Sequence, residues 1–293
     1  MSHDGGSSVP RRQVGRLLRQ LREGARTTLK DAAAHIEVSL SKMSRIEGGE
    51  APVRQVDVRA LADLYHAPPD MLEVLLSLAA ATKEKGWWAA YGKAVPAWFE
   101  LYVGMEQAAS RLRHYENGVI PGLLQGEEYA AAVLGAVPGV TPEQVTQRVR
   151  LRRERQRLLS RANPPAPELD VIIEEAVLVK GLGDPDAWAR QLAHLVNISQ
   201  RPGISVRVIP RDRALHYAGF AGSFTVLDFP EVGLRRAEPT TVYIEGLTGA
   251  LYLDEPAEVD TYQRAWDVLD RIALGRDASD DLIGELIKEN IDD

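Results

Sequence analysis

The 293-residue chain contains no cysteine, only four Phe and four Met, and no apolar run approaching the roughly 18 residues that cross a bilayer. Without cysteine there is no disulfide, no thiolate metal site and no cysteine nucleophile. The opening MSHDGGSSVPRR lacks the apolar core of a signal peptide, so a soluble cytoplasmic protein with no membrane partner is expected. Catalytic signatures are equally scarce. The six histidines (His3, His35, His66, His114, His194, His216) never pair at i, i+3 or i+4, and no G-x-S-x-G or Walker A stretch occurs. Gly181-Leu182-Gly183 starts like a dinucleotide fingerprint, but Asp186 stands where the third Gly belongs, so the stretch reads as a turn. Neither an enzyme, nor a metal, nor a cofactor is expected.

What is present is an uneven charge. The total is −7, yet residues 1–60 carry 11 Lys plus Arg against 7 Asp plus Glu, or +4, leaving 24 against 35, or −11, for the rest. Nine basic residues and three acids lie between Arg11 and Arg45. A local field of that sign suits a polyanion, which the acidic remainder would repel.

Length near 300 leans toward two domains. Residues 1–9 are Gly/Ser-rich and expected to be disordered. Val14, Leu17, Leu18 and Leu21 then fall on one helical stripe; Thr28 can cap a second helix to about Ile36; Ser39 can cap a third, with Leu40 or Met43 and Ile46 buried, ended by Gly48-Gly49. A fourth helix carries Val58, Leu61, Ala62 and Tyr65, and a fifth starts after Pro68-Pro69. The aromatic stretch that follows (Trp87, Trp88, Tyr91, Trp98, Phe99, Tyr102) sets a domain boundary near residue 82. Helical patterns continue to Arg161. Strand signals are read only afterwards, at 171–173, 204–208, 223–227, 241–244 and 250–253, before two C-terminal helical stripes. The expected fold class is α+β: a helix-turn-helix domain over 10–82, then a mixed domain over 83–293 with a mainly antiparallel sheet and flanking helices.

Two short helices joined by a tight turn, Thr28 to Ile36 and Ser39 to Glu47, have helix-turn-helix dimensions. Residues 11–66 resemble the Xre/Cro class of regulators in three stretches: Leu18-Arg19-Gln20-Leu21-Arg22, Thr28-Leu29-Lys30-Asp31-Ala32-Ala33, and Ser39-Leu40-Ser41-Lys42-Met43-Ser44-Arg45-Ile46-Glu47-Gly48-Gly49. The resemblance implies double-stranded DNA as partner. It puts base reading on Leu40, Ser41 and Arg45, phosphate contacts on Thr28, Lys30, Ser39, Lys42 and Ser44, and a structural ion pair on Arg22 and Glu47. The chemistry fits: Arg bridges guanine O6 and N7, Ser donates or accepts, and Leu packs on a thymine methyl. Glu37 stands where the class usually has Gly, which predicts a turn of different shape.

From about Trp87 onward the chain resembles the C-terminal domain of unknown function carried by actinobacterial Xre-type regulators. The matching stretches include Val119-Ile120-Pro121-Gly122-Leu123-Leu124-Gln125, Ile173-Glu174-Glu175-Ala176, Val206-Arg207-Val208-Ile209-Pro210 and Gly249-Ala250-Leu251-Tyr252-Leu253. That resemblance implies transcriptional regulation modulated by a small-molecule effector or by a small protein encoded by a neighbouring gene. A homodimer is expected because one recognition helix reads only a few base pairs. The alternative is an antitoxin-like protein that neutralises a small partner and autoregulates its operon. His216, Tyr217, Tyr243, Glu245 and Tyr252 have the composition of a small-molecule pocket; they fit equally as half-buried sheet residues with Glu245 a salt-bridge partner, the reading favoured. Seven arginines between Arg148 and Arg161 suggest a helix that covers acidic surface within the chain, the C-terminal segment from Asp277 being one candidate, or one that meets a partner.

Overall fold

The computed structural model describes residues 8–81, 91, 97–179, 181, 184–231 and 238–292. Residues 1–7 of the expected disordered tail, and Trp87 and Trp88 of the aromatic stretch, lie outside the described residues. The chain divides into two compact units, Met1–Ala108 and Ala109–Asp293. Among the described residues no helix is long and apolar enough to cross a membrane.

The first unit is all helix: α1 (Ser8–Gly24), α2 (Leu29–His35), α3 (Leu40–Glu47), α4 (Gln55–Leu64), α5 (Pro69–Ala81) and α6 (Ala97–Ala108). Its core joins Val14 and Leu18 of α1 to Ala32, Ala33, Met43, Ile46, Val58, Leu61, Leu75 and Ala79. Burying a side chain such as Met43 or Ile46, both at most 1% exposed, contributes about 1.5–3 kcal/mol each. α6 packs on α1, and Arg12 of α1 and Glu106 of α6 are both buried. Burial lowers the Arg11 guanidinium below its ordinary value, against the opposing pull of Glu100 on α6.

α1, α2, α3 and α4 all end in one way. The residue after each C-cap (Arg26, Glu37, Gly49 and His66) takes a left-handed φ, of 53°, 55°, 73° and 55° respectively. Its N–H and that of its successor bond back into the last turn, as in Glu37 N to Ala34 O at 3.1 Å and Val38 N to Ala33 O at 2.9 Å. The turn between α2 and α3 therefore keeps the left-handed form that a glycine would give, contrary to the expectation of a different shape. The two back-bonds hold Glu37 there against a cost on the order of 1–2 kcal/mol. Glu37→Gly should accordingly raise the stability of this unit by about 1 kcal/mol, read as slower amide exchange across α2 and α3; unchanged or faster exchange would show that the position carries no strain.

The second unit is built on one six-stranded sheet, in the order β3-β2-β1-β4-β5-β6, with β1 Arg111–Glu116, β2 Glu168–Glu174, β3 Ile204–Ile209, β4 Phe224–Asp228, β5 Thr241–Gly246 and β6 Gly249–Leu253. The pairs β1–β4, β4–β5 and β5–β6 are antiparallel; β1–β2 and β2–β3 are parallel. The helices of this unit are α7 (Glu127–Gly135), α8 (Pro142–Gln156), α9 (Glu175–Leu178), α10 (Pro185–Ser199), α11 (Pro256–Ile272) and α12 (Arg276–Asp292). α10 makes the crossover between β2 and β3. α11 lays Val259, Ala265, Trp266 and Leu269 against Tyr115, Ile172, Phe224, Val226 and Val242 on one sheet face.

The structure corrects or decides three expectations. Strands do not begin only after Arg161: β1 lies at the middle of the sheet, and its polar residues find cross-strand partners, Arg111 Nη2 to Asp170 Oδ2 at 2.6 Å and Arg113 Nη2 to Asp228 Oδ2 at 3.0 Å. Of Leu40 and Met43, the buried one is Met43, while Leu40 is 53% exposed. The arginine-rich α8 packs on α7 and the turn Gly122–Leu124, with Arg153 Nη1 2.7 Å from Glu127 Oε2. Asp280 of the acidic C-terminal segment bonds instead to Ser199 Oγ and Gln200 Nε2 at the end of α10, at 2.9 and 2.6 Å.

Candidate nucleic-acid interface

α3 starts where Ser39 Oγ accepts the Lys42 N–H at 3.1 Å, and it ends at Gly48-Gly49. Its inner face carries Met43, Ile46 and Glu47. Its outer face presents Leu40, Ser41, Lys42, Ser44 and Arg45, all exposed. The structure thus gathers the three expected base readers on one helix face, with Ser39, Lys42 and Ser44 beside them. Ser39 is at once cap and surface group, because its oxygen accepts from the backbone while its O–H can still donate. Arg45 Nε stands 3.7 Å from Glu50 Oε2 with both side chains more than half exposed, a pair too loose and too wet to hold the guanidinium back.

The start of α2 is less open to phosphate. Thr28 Oγ1 accepts from Asp31 N at 3.1 Å and donates to Asp31 Oδ2 at 2.7 Å, so its hydroxyl is occupied and a carboxylate sits in the first turn. Lys30, exposed on the same helix, supplies the opposite charge.

The seating of α3 depends on its far end. Arg22 grips Glu47 with two parallel bonds, Nε–Oε1 at 2.7 Å and Nη2–Oε2 at 2.9 Å, and donates a third to Thr27 O at 3.1 Å. The side chains are 13% and 6% exposed. The bond to Glu47 holds the Arg22 guanidinium above its ordinary value. Tyr65 lies close enough for the Glu47 charge to add to the upward push of burial on its phenol, and its buried hydroxyl has no hydrogen-bond partner among the described residues.

Sequence reading missed Gly15. A Cβ built there would stand 2.4 Å from Ile46 O and 2.7 Å from Glu47 O, so α1 lies against the last turn of α3 at a distance only glycine permits. The signal was legible: a glycine inside a helix costs about 1 kcal/mol relative to alanine, and a position that bears this cost has a packing reason.

In the second unit the five pocket candidates separate into two groups. His216 Nδ1 accepts the Gly219 N–H at 3.1 Å, which leaves Nε2 to donate to Glu174 Oε1 at 2.7 Å; Tyr115 donates to the same oxygen at 2.8 Å. Tyr217 beside it is 61% exposed. Tyr243 donates to Glu245 Oε2 at 2.9 Å and its ring lies 5.3 Å from that of Tyr252. Tyr115 is the register partner of Phe224, and Tyr243 that of the next residue, Thr225, so the two groups lie on opposite faces of the sheet. Burial first, then the bond to Glu174, drives the Tyr115 phenol well above its ordinary value. Among the described residues no group of three or more His, Asp or Glu is arranged to hold a metal.

Residues 13–75 match a family model described as a helix-turn-helix domain, and residues 99–285 match one described as a domain of unknown function, DUF5753. No curated protein and no solved structure matches the chain. The helix-turn-helix match supports a DNA-binding regulator. Since the second match covers more than half of the chain, the protein belongs to the DUF5753 family and carries its helix-turn-helix domain ahead of that family's own region.

Proposed function

We propose that the protein is a sequence-specific transcriptional regulator of the Xre type found in actinobacteria, acting in the cytoplasm as a homodimer whose second unit answers to a small-molecule effector or a small protein encoded next door. The observation that carries this reading is the outer face of α3: five exposed side chains able to reach base edges or phosphates, on a helix fixed behind by Met43, Ile46 and the Arg22–Glu47 pair. The second unit works by binding rather than turnover. Its buried Glu174 already accepts two hydrogen bonds, and Glu175 is held by Arg211 through Nε and backbone N at 2.6 and 2.8 Å.

Footprinting of the full chain on its own promoter region tests the reading. Arg45→Ala should cost roughly 1–3 kcal/mol and relax preference at one position of each half-site. Lys42→Ala should weaken binding evenly across sequences and lower the salt slope. An equal loss on all sequences for Arg45→Ala would move that residue to the phosphates. Absence of any protected site would remove the proposal.

A further inference from the structure

α5 packs on α1 and on α4. Where the end of α1 faces the turn between α4 and α5, a cleft of about 430 Å³ is left, walled by Leu17, Leu21, Gly24, Tyr65 and Met71. The space has a local cause. α1 finishes in two small residues, Gly24 and Ala25, and a Cβ on Gly24 would meet no atom of the described residues within 4 Å. Opposite them the left-handed His66 stops α4, and Pro68-Pro69 turns the chain into α5. Leu17, Leu21 and Met71 are half-buried and rest on the core of the unit, so the walls are apolar.

Two features define what fills it. The first is charge. Arg16, Arg19, Arg22 and Glu23 all lie on this part of α1, yet no Asp, Glu, Lys or Arg lines the cleft, and the polar lining residues besides Tyr65 are Gln20 and His66. A charged ligand would lose hydration there with no counter-ion in return. The second is Tyr65 itself, 4% exposed, with a buried hydroxyl that has no hydrogen-bond partner among the described residues. Buried hydroxyls are ordinarily paired, and one left unpaired marks a missing acceptor or donor.

We infer that this cleft binds a compact, uncharged, largely apolar molecule whose one carbonyl or hydroxyl oxygen meets Tyr65 Oη, and that its occupancy is felt at the end of α3. The volume falls within the roughly 300–1,000 Å³ of small-molecule sites. The hydroxyl lies beneath the surface of the cleft, so Met71, unbranched and adaptable, gives way as the ligand enters. Tyr65 then donates to a carbonyl, or donates and accepts with a hydroxyl. The charge of Glu47 reaches the same phenol, as does the opposing charge of Arg22. A ligand that draws Tyr65 toward itself therefore alters the surroundings of Glu47, the last residue of α3. The site belongs to the helix-turn-helix unit and is separate from anything the second unit binds. It does not depend on DNA binding, and a failed footprint leaves it standing.

The four methionines make a site-specific test. With carbon-13 in their methyl groups, Met71 of the full chain reports the cleft, Met43 the buried side of α3, and Met105, buried in α6, serves as reference. Cyclohexanone and camphor, two neutral cyclic ketones, should shift the Met71 methyl saturably and the Met43 methyl with the same midpoint, leaving Met105 in place. Methylcyclohexane, which lacks the oxygen, should bind about tenfold more weakly than cyclohexanone, and camphorsulfonate, which adds a charge, should not bind. Tyr65→Phe should lower the affinity for camphor about tenfold while melting no lower than the unmodified chain, because it removes an unpaired group. Gly24→Leu, which fills the open space, should abolish the Met71 response. A Met71 methyl that answers to neither ketone, a camphor affinity indifferent to Tyr65→Phe, or binding of camphorsulfonate as tight as that of camphor would overturn the proposal. A Met71 shift that follows protein concentration without any ligand would overturn it as well, by giving the cleft to a second copy of the chain.

Discussion

Glu47→Ala should destabilise the first unit by about 3–5 kcal/mol and abolish specific DNA binding, although Glu47 itself faces away from the proposed interface. The loss would be that of a buried pair stripped of one member: the Arg22 guanidinium, 13% exposed, would remain in place with only Thr27 O and the more exposed Glu23 to satisfy it. Since Arg22 sits on α1 and Glu47 ends α3, the pair fixes the angle at which the recognition helix is presented. Glu47→Gln, which can keep one acceptor, should lose less. The double variant Arg22→Met, Glu47→Leu should recover much of the stability, because removing both charges leaves nothing unpaired. Amide exchange over residues 8–81 reads each change within its own unit. Additivity of the two single effects would show that the pair is not coupled.

Gly15→Ala should have the next largest effect. Its new methyl would enter at 2.4 Å from Ile46 O, and the obstructing atoms are backbone, so no side chain can rotate away. Either α1 or the last turn of α3 must move, at an expected cost of about 1–3 kcal/mol, with a further loss of affinity as α3 tilts. Gly24→Ala makes the comparison, since a Cβ there meets no atom of the described residues within 4 Å and the change should be neutral or slightly stabilising. Equal behaviour of the two variants in thermal denaturation and DNA binding would refute the close-packing account.

The helical head was legible because its signals are local. Thr28 and Ser39 both cap, the stripe through Val14 and Leu18 is buried, and Gly49 ends α3. β1 was not legible, for a physical reason. Arg-Leu-Arg-His-Tyr-Glu places its apolar residues three apart, a helical interval, and its strand character comes from Asp170, Glu174 and Asp228, distant in sequence, which take up its polar side chains. The α+β class was recovered, whereas the parallel pairing of β1 with β2 depends on a connection of more than fifty residues that no local pattern encodes. The same limit applies to the pocket candidates. Residue type identified His216 and Tyr243 as useful chemistry, but only the register of β4 with β1 and β5 tells that they occupy opposite faces.

α6 blurs where one module stops and the next begins. The DUF5753 match starts at residue 99, inside this helix, yet α6 folds with the helix-turn-helix unit, and only two residues separate it from β1. A recombination event that joined a new DNA-binding head at the sequence boundary would set α6 against an α1 it was never shaped for, and would part Arg11 from the opposing charge of Glu100. The heritable cassette is therefore larger than the sequence families suggest. α1 and α6 are constrained to diverge together, and a head transplanted between such regulators has to travel with its sixth helix.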